Sequence, residues 1–272
     1  MFSAVICVYI NDQPFLLERA LRSIYEQDLL PSQVVVVQDG PISCESNSII
    51  SIFEATLKQK KIVFTHHIFP LNVGHGKARS RGIEICLHDI IAICDADDIN
   101  FRDRFRRQNE YLVQNPKISV VGAHIQECSD DKPISVKKVP INHREIRAYC
   151  RFRCPMNQMT VMFRRQDIMT VGGYQDFYHN EDYFLWIRLI YKGYQLANIP
   201  AILVKVNVDP QTFVRRGGYR YFKSEFDIQR LLLRYKISNK AIFIVNVGIR
   251  VFVQLMIPSG LRRLIFKVFF RN

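Results

Sequence analysis

Four short, β-branched apolar runs alternate with helix-patterned segments over the first 95 residues, and that alternation leaves few folds open. "FSAVICVYI" (2–10) and "QVVVVQDG" (33–40) have the near-continuous apolar character of strands buried on both faces. "KIVFTHHI" (61–68) and "DIIAICD" (89–95) read as a third and a fourth strand. Between them, Pro14 opens a helix in which Leu17, Ala20, Leu21 and Ile24 recur at helical spacing. A second helix is predicted at 45–58, and "NVGHGKARSRGIEIC" (72–86) is a Gly-rich turn running into a third. The pattern predicts βαβ units: an α/β fold with a mostly parallel central sheet flanked by helices. Right-handed crossovers then place the strand ends and their loops along one edge, where ligands bind.

Downstream, a helix at 101–115 stops before Pro116, and "KISVVGAHIQE" (117–127) and "MTVMFRR" (159–165) read as strands. "GGYQ" marks a turn. "NEDYFLWIRLIYKG" (180–193) reads as a helix capped by Asn180, with Glu181 and Asp182 in its first turn and Gly193 at its end. "AILVKVNV" (201–208) is a last strand, and after Gly217-Gly218 the pattern turns helical. The formal charge of +13 is unevenly spread: residues 1–212 carry a net +2 and residues 213–272 a net +11. A basic quarter of this kind calls for an acidic partner: nucleic acid, an anionic membrane surface, or phosphates. The seven cysteines form no CxxC pair and no zinc-like spacing with histidine, and Met1 leads almost directly into a strand. A reducing, cytoplasmic setting without a signal peptide is therefore expected.

"IAICDADDIN" (91–100) sets Asp95, Asp97 and Asp98 at the mouth of the fourth strand. Like charges this close raise one another's pKa, so a positive species is expected there. Asp98 is read as a cap for the following helix. Asp39 ends the second strand on the same edge, beside the Gly74/Gly76 turn. Those glycines fit a tight turn; Rossmann and P-loop phosphate-binding spacings are both absent. His66, His67, His75, His143 and His179 form no metal-ligand pattern.

In this order, "VYINDQPFLLERALRSIYEQ", "VVVVQDG", "NVGHGKARSRGIE", "ICDADD", "GGYQDF" and "NEDYFLWIRL" resemble the family-2 glycosyltransferases of the GT-A fold, over roughly residues 2–206. The tail, with "RRGGYRYF" and the helical stretch after it, is similar to bacterial members that assemble surface polysaccharide repeats on a lipid carrier. The resemblance implies a catalytic domain at 1–212, with a nucleotide-sugar-binding half (1–100) and an acceptor-binding half (101–212). A basic amphipathic helical extension follows at 213–272. The implied reaction is inverting, metal-dependent transfer of a hexose, galactose or glucose, from a UDP-sugar. The implied acceptor is a hydroxyl of an undecaprenyl-diphosphate-linked saccharide in O-antigen or capsule synthesis. By that resemblance Asp95 and Asp97 form the DxD pair, Asp95 on the donor and both serving Mn²⁺ or Mg²⁺. Asp39 reads the base, Val8 and Tyr9 line its pocket, Arg79 is a donor-side cation, and Asp182 is the catalytic base.

Elementary chemistry fits those roles. A sugar-diphosphate leaving group develops negative charge that a hard cation on carboxylates neutralises. A sugar hydroxyl needs a base to take its proton. The dipole of the helix at 180–193 would hold Asp182 ionised, with Glu181 beside it. Trp186 either stacks on an acceptor ring or belongs to the core. Arg215 and Arg216 either close over the diphosphate or form a solvated turn. The chain departs from the family at Gln38, where an acid is common, and at Gln158, where related bacterial enzymes often have His.

In "AIFIVNVGIRVFVQLMI" (241–257), Asn246, Arg250 and Gln254 are spaced by four and make one polar stripe. The run is short and carries a central Arg, which argues against a membrane span. It packs on the catalytic domain or lies in the membrane interface. "LRRLIFKVFFR" (261–271), with Arg263 and Lys267 four apart, reads as a basic anchor for anionic lipid at the inner face of a bacterial cytoplasmic membrane. Another donor nucleotide, a soluble glycan acceptor and a nucleotidyltransferase of the same fold are the neighbouring readings. "YINDQP" lacks the phosphate-binding signature the last requires. A non-enzymatic nucleic-acid binder would leave the aspartate cluster unexplained, since acids repel a phosphate backbone.

Overall fold

The computed structural model describes residues 1–129, 131–208 and 218–256. The four expected strands are β1 (Ser3–Val8), β2 (Gln33–Asp39), β3 (Val63–Phe69) and β4 (Ile90–Asp95). They lie parallel in the order β3-β2-β1-β4. The three crossover helices are α1 (Pro14–Tyr25), α2 (Cys44–Gln59) and α3 (His75–Glu84). Alternation along β1 shows why both faces are covered. Ala4, Ile6 and Val8 share a buried cluster with α1, α2 and α4 (Arg104–Gln114), while Val5 belongs to the cluster on the other face with Ala78 and Ile83 of α3.

The second half of the sheet is mixed. β5 (Ile99–Asn100), β6 (Ile118–Ser129), β7 (Lys132–Lys137), β8 (Met162–Arg164) and β9 (Gln195–Asn207) continue it. β8 runs antiparallel to β4 and β6, β7 antiparallel to β6, and β5 antiparallel to β9; only β6 and β9 pair in parallel. The parallel character expected from the sequence holds for β3-β2-β1-β4 and returns in the β6–β9 pair. The shorter β5, β7 and β8 run against their neighbours there. Four elements escape the periodicity because they are brief: β5, β7, α5 (His143–Tyr149) and α6 (Arg165–Thr170). The run at 159–165 splits into a 3₁₀ turn (Gln158–Thr160) and β8.

α7 (Glu181–Tyr191) forms as expected, but Asn180 does not cap it through its side chain. The Asn180 amide donates instead to Ser224 Oγ at 3.0 Å, tying α7 to α8 (Tyr219–Arg234). α8 and α9 (Lys240–Val251) are the expected C-terminal helices. Ile228 and Leu232 of α8 join the main hydrophobic cluster with Trp186, Leu189 and Val5, so the extension shares the catalytic core. Among the described residues no helix is long and apolar enough to cross a membrane. Arg215, Arg216 and the basic run at 261–271 lie outside the described residues.

Candidate active site

The parallel registers bring the predicted donor-side residues to one edge. Cys7 sits opposite Asp95 and Val8 opposite Gln38, so β1, β2 and β4 end together. Asp39 closes β2 and is 2% exposed. Its carboxylate accepts from Val73 N at 2.6 Å, Gly74 N at 3.1 Å and Asn72 Nδ2 at 3.0 Å. Asp39 therefore shapes the 72–74 turn from beneath, and these two turn amides are committed to it. Gly40 permits this approach: φ is +85°, and a Cβ there would lie 2.7 Å from Asn72 N. Gln38 is buried and donates to the Gly40 carbonyl, which reinforces the same turn.

α3 crosses β1 and β2 closely because residue 82 is glycine; a Cβ would meet Val5 Cγ1 at 2.6 Å. That contact seats Arg79 under the sheet edge. Arg79 is buried; its Nη2 donates to Asp95 Oδ1 at 2.9 Å and its Nη1 to Glu181 Oε1 at 3.3 Å. Burial opposes the guanidinium charge, but Asp95 and Glu181 hold its pKa above the ordinary value. The Tyr174 ring lies 5.9 Å from the guanidinium, and Gln158 Nε2 donates to the Tyr174 hydroxyl at 2.6 Å. Gln158 thus supports Arg79 through Tyr174.

The aspartate loop is built by buried contacts. Arg104 is fully buried; it donates to the Ile93 carbonyl at 2.7 Å and to Asn100 Oδ1, pinning the end of β4 against β5. Asp98 does not cap a helix. It is buried, accepts from Asn207 N at 3.1 Å, and is raised well above the ordinary carboxyl range by burial, Asp97 and Asp95. Asp97 is exposed at the rim of a groove of about 290 Å³ lined also by Gln13, Arg19, Asp131 and Lys205. Asp12 was not foreseen. Its carboxylate accepts from Tyr9 N at 2.9 Å, and burial, then Asp97 and Asp95, push it up to about 7. An aspartate in the turn just before the Pro14 helix start was the available signal.

These carboxylates suit a hard dication. Asp12, Asp95 and Asp97 act on one another's charge, and Asp95 pairs with the buried Arg79. Among the described residues no group of three or more His, Cys, Asp or Glu is arranged to hold a metal by itself. A Mg²⁺-like ion that takes one or two carboxylates and completes its shell with phosphate oxygens and water fits that donor set.

Across the edge, Asp182 opens α7 next to Glu181. Its Oδ1 accepts from Tyr183 N at 2.7 Å, and the Cys154 thiol lies 3.6 Å from its Oδ2. The helix dipole does not set its charge as expected. Burial outweighs the Tyr183 amide and Arg79, and the pKa is raised. Trp186 is fully buried against Tyr174 and is core; it cannot stack on an acceptor. Val8 is likewise a core side chain, so only its backbone borders the site, whereas Tyr9 stands at the edge, 6.1 Å from His75. Arg188 staples the 171–173 turn by donating to the Val171 and Gly173 carbonyls.

This arrangement offers a carboxylate-rich side that can hold a metal-bound diphosphate and, across Arg79, a half-buried carboxylate that can accept a proton. Comparisons with known proteins place the chain in a family. Residues 3–172 match the sequence pattern of glycosyl transferase family 2. The chain is 35% identical over 238 residues to the amylovoran biosynthesis glycosyltransferase AmsE of Erwinia amylovora, covering 87% of each. It is 34% identical to the UDP-Gal:alpha-D-GlcNAc-diphosphoundecaprenol beta-1,3-galactosyltransferase of Escherichia coli, covering 100% of this chain and 97% of that one. Its fold matches S. aureus TarS 1-349 in complex with UDP at TM-score 0.66 and 14% identity, covering 92% and 71% of the two chains.

Proposed function

The chain belongs to glycosyl transferase family 2 and is a glycosyltransferase; from that premise we propose that it transfers a hexose, galactose or glucose, from a UDP-sugar to a hydroxyl of an undecaprenyl-diphosphate-linked saccharide. The observation that carries this reading is the Asp95–Arg79–Glu181 bridge. One buried guanidinium fixes the end of β4 against the start of α7, so the diphosphate side and the base side are held in one rigid unit. The lipid-linked acceptor and the galactosyl donor are supported by the name of the E. coli relative. The uridine nucleotide is further supported by the UDP held on the TarS fold. The product belongs to O-antigen or capsule synthesis, and the enzyme works peripherally at the inner face of a bacterial cytoplasmic membrane, in keeping with its basic last quarter.

In the proposed reaction Asp182 takes the proton of the acceptor hydroxyl. The acceptor oxygen attacks the anomeric carbon as the bond to the diphosphate breaks, and UDP leaves with the electron pair. One base and no covalent intermediate give inversion. Asp95 and Asp97, with Asp12 beside them, would hold Mn²⁺ or Mg²⁺. When bound, that ion supplies Lewis-acid neutralisation of the departing diphosphate. Arg79 keeps Asp95 and Glu181 in place, and Tyr9 and the Asp39-braced turn border the nucleoside.

Calorimetric titration of UDP, with and without Mn²⁺, tests the reading. Binding that needs the metal, is lost in Asp97→Ala and is kept in Asp182→Ala is the expected result. UDP that binds under neither condition would remove the UDP-sugar assignment.

A further inference from the structure

We propose that the outward face of α9 is a membrane-docking surface that seats the acceptor side of the active site on an anionic lipid bilayer. The inference deepens the lipid-linked-acceptor reading and rests on it for the role of the surface.

α9 is amphipathic in the wrong sense for a water-exposed helix. Its polar stripe points inward. Asn246, 4% exposed, donates through Nδ2 to the Arg151 carbonyl and to Gln229 Oε1, both at 2.9 Å. Arg250 donates to Glu225 Oε2 at 2.7 Å and to the Phe152 carbonyl at 2.8 Å. Past Lys240 at its start, the exposed positions along α9 and just after it are Ala241, Ile244, Val245, Gly248, Ile249 and Phe252, none of them polar. The large ones are 68% (Ile244), 58% (Val245), 51% (Ile249) and 56% (Phe252) exposed. Their spacing of three and four makes one continuous stripe along the helix. A helix that spends its polar residues on the protein and turns its aliphatic ones outward is built for an apolar medium.

The charges around the stripe identify that medium. Lys236 and Lys240 are exposed at the start of α9, and residues 257–272, which follow it, carry Arg262, Arg263, Lys267 and Arg271 and no acid. Aliphatic side chains flanked by cations match a lipid interface with anionic headgroups. The position also serves the chemistry. Arg250 holds the Phe152 carbonyl, and two residues further the Cys154 thiol meets Asp182. A bilayer on the outward face of α9 would therefore lie about one helix diameter, roughly 10–12 Å, from the segment that supports the acceptor base.

The test is flotation of the full chain with phosphatidylglycerol-containing vesicles and with phosphatidylcholine vesicles, without donor or acceptor. Wild type is expected to float with the anionic vesicles. The Ile244→Asp/Ile249→Asp variant should lose about tenfold or more of that binding while its UDP titration is unchanged. Val245→Asp repeats the test at a single exposed position if the double variant aggregates. Vesicle binding equal to wild type in these variants overturns the proposal, as does a wild type that ignores anionic vesicles. A wild-type dimer that the substitutions split, with vesicle binding unaltered, assigns the face to a second copy and also overturns it. Because the assay contains no sugar substrates, a failed UDP-sugar reading would show in the UDP titration and leave the vesicle result standing.

Discussion

The Cys154 thiol stands 3.6 Å from Asp182 Oδ2, close enough to donate a weak hydrogen bond to the proposed base. That bond favours the ionised carboxylate, against a burial cost that raises its pKa. The base is active when unprotonated, so activity falls as pH drops through that raised pKa, above where an ordinary aspartate titrates. Cys154→Ala removes the donor and should move the acid limb of the kcat profile to higher pH. Cys154→Ser, which keeps a donor, should lie near wild type. Identical acid limbs for all three would show that the thiol does not act on Asp182.

Arg79 is the only cation bonded to both Asp95 and Glu181 among the described residues, and it is buried. Arg79→Met leaves two carboxylates uncompensated and should cost about 3–5 kcal/mol of stability. Arg79→Lys retains a charge but cannot fork to both acids, so it should fold better and still weaken metal-dependent UDP binding by about tenfold. Thermal unfolding and UDP titration separate the two effects.

Asp12 carries a folded-state pKa of about 7, above its unfolded value, with burial the first cause and Asp97 and Asp95 adding to it. The native state then binds more protons than the unfolded state between the two pKa values, and stability falls as pH rises through that window. Asp12→Asn should therefore stabilise the metal-free protein above about pH 7 by ~1 kcal/mol after screening, roughly 2–4 °C in Tm. Added Mn²⁺ should raise the Tm of wild type more than that of the variant. Equal metal responses would remove Asp12 from the metal's surroundings.

Trp186 is a core residue, so Trp186→Phe should cost about 1–2 kcal/mol in thermal unfolding and leave the acceptor KM unchanged. A large rise in KM with stability intact would restore the stacking role.

The strands, the three crossover helices and the positions of Asp39, Asp95, Asp97 and Asp182 were legible because each depends on local pattern: apolar runs, helical spacing, and acids at strand or helix ends. The brief elements β5, β7, α5 and α6 were not, since two to seven residues carry too little periodicity.

What the sequence determined by itself is the α/β order of its first half and the set of acids on its edge, because a strand's hydrophobic run also fixes where the following loop emerges. Only the tertiary structure decided what each acid meets. Asp39 braces a turn, Asp98 binds Asn207, Asp95 shares Arg79 with Glu181, and burial rather than the helix dipole governs Asp182. The same holds for α9, whose polar stripe was visible in the sequence while its inward direction was not. Desolvation and partner choice arise from contacts between residues far apart in the chain, and no local pattern encodes them.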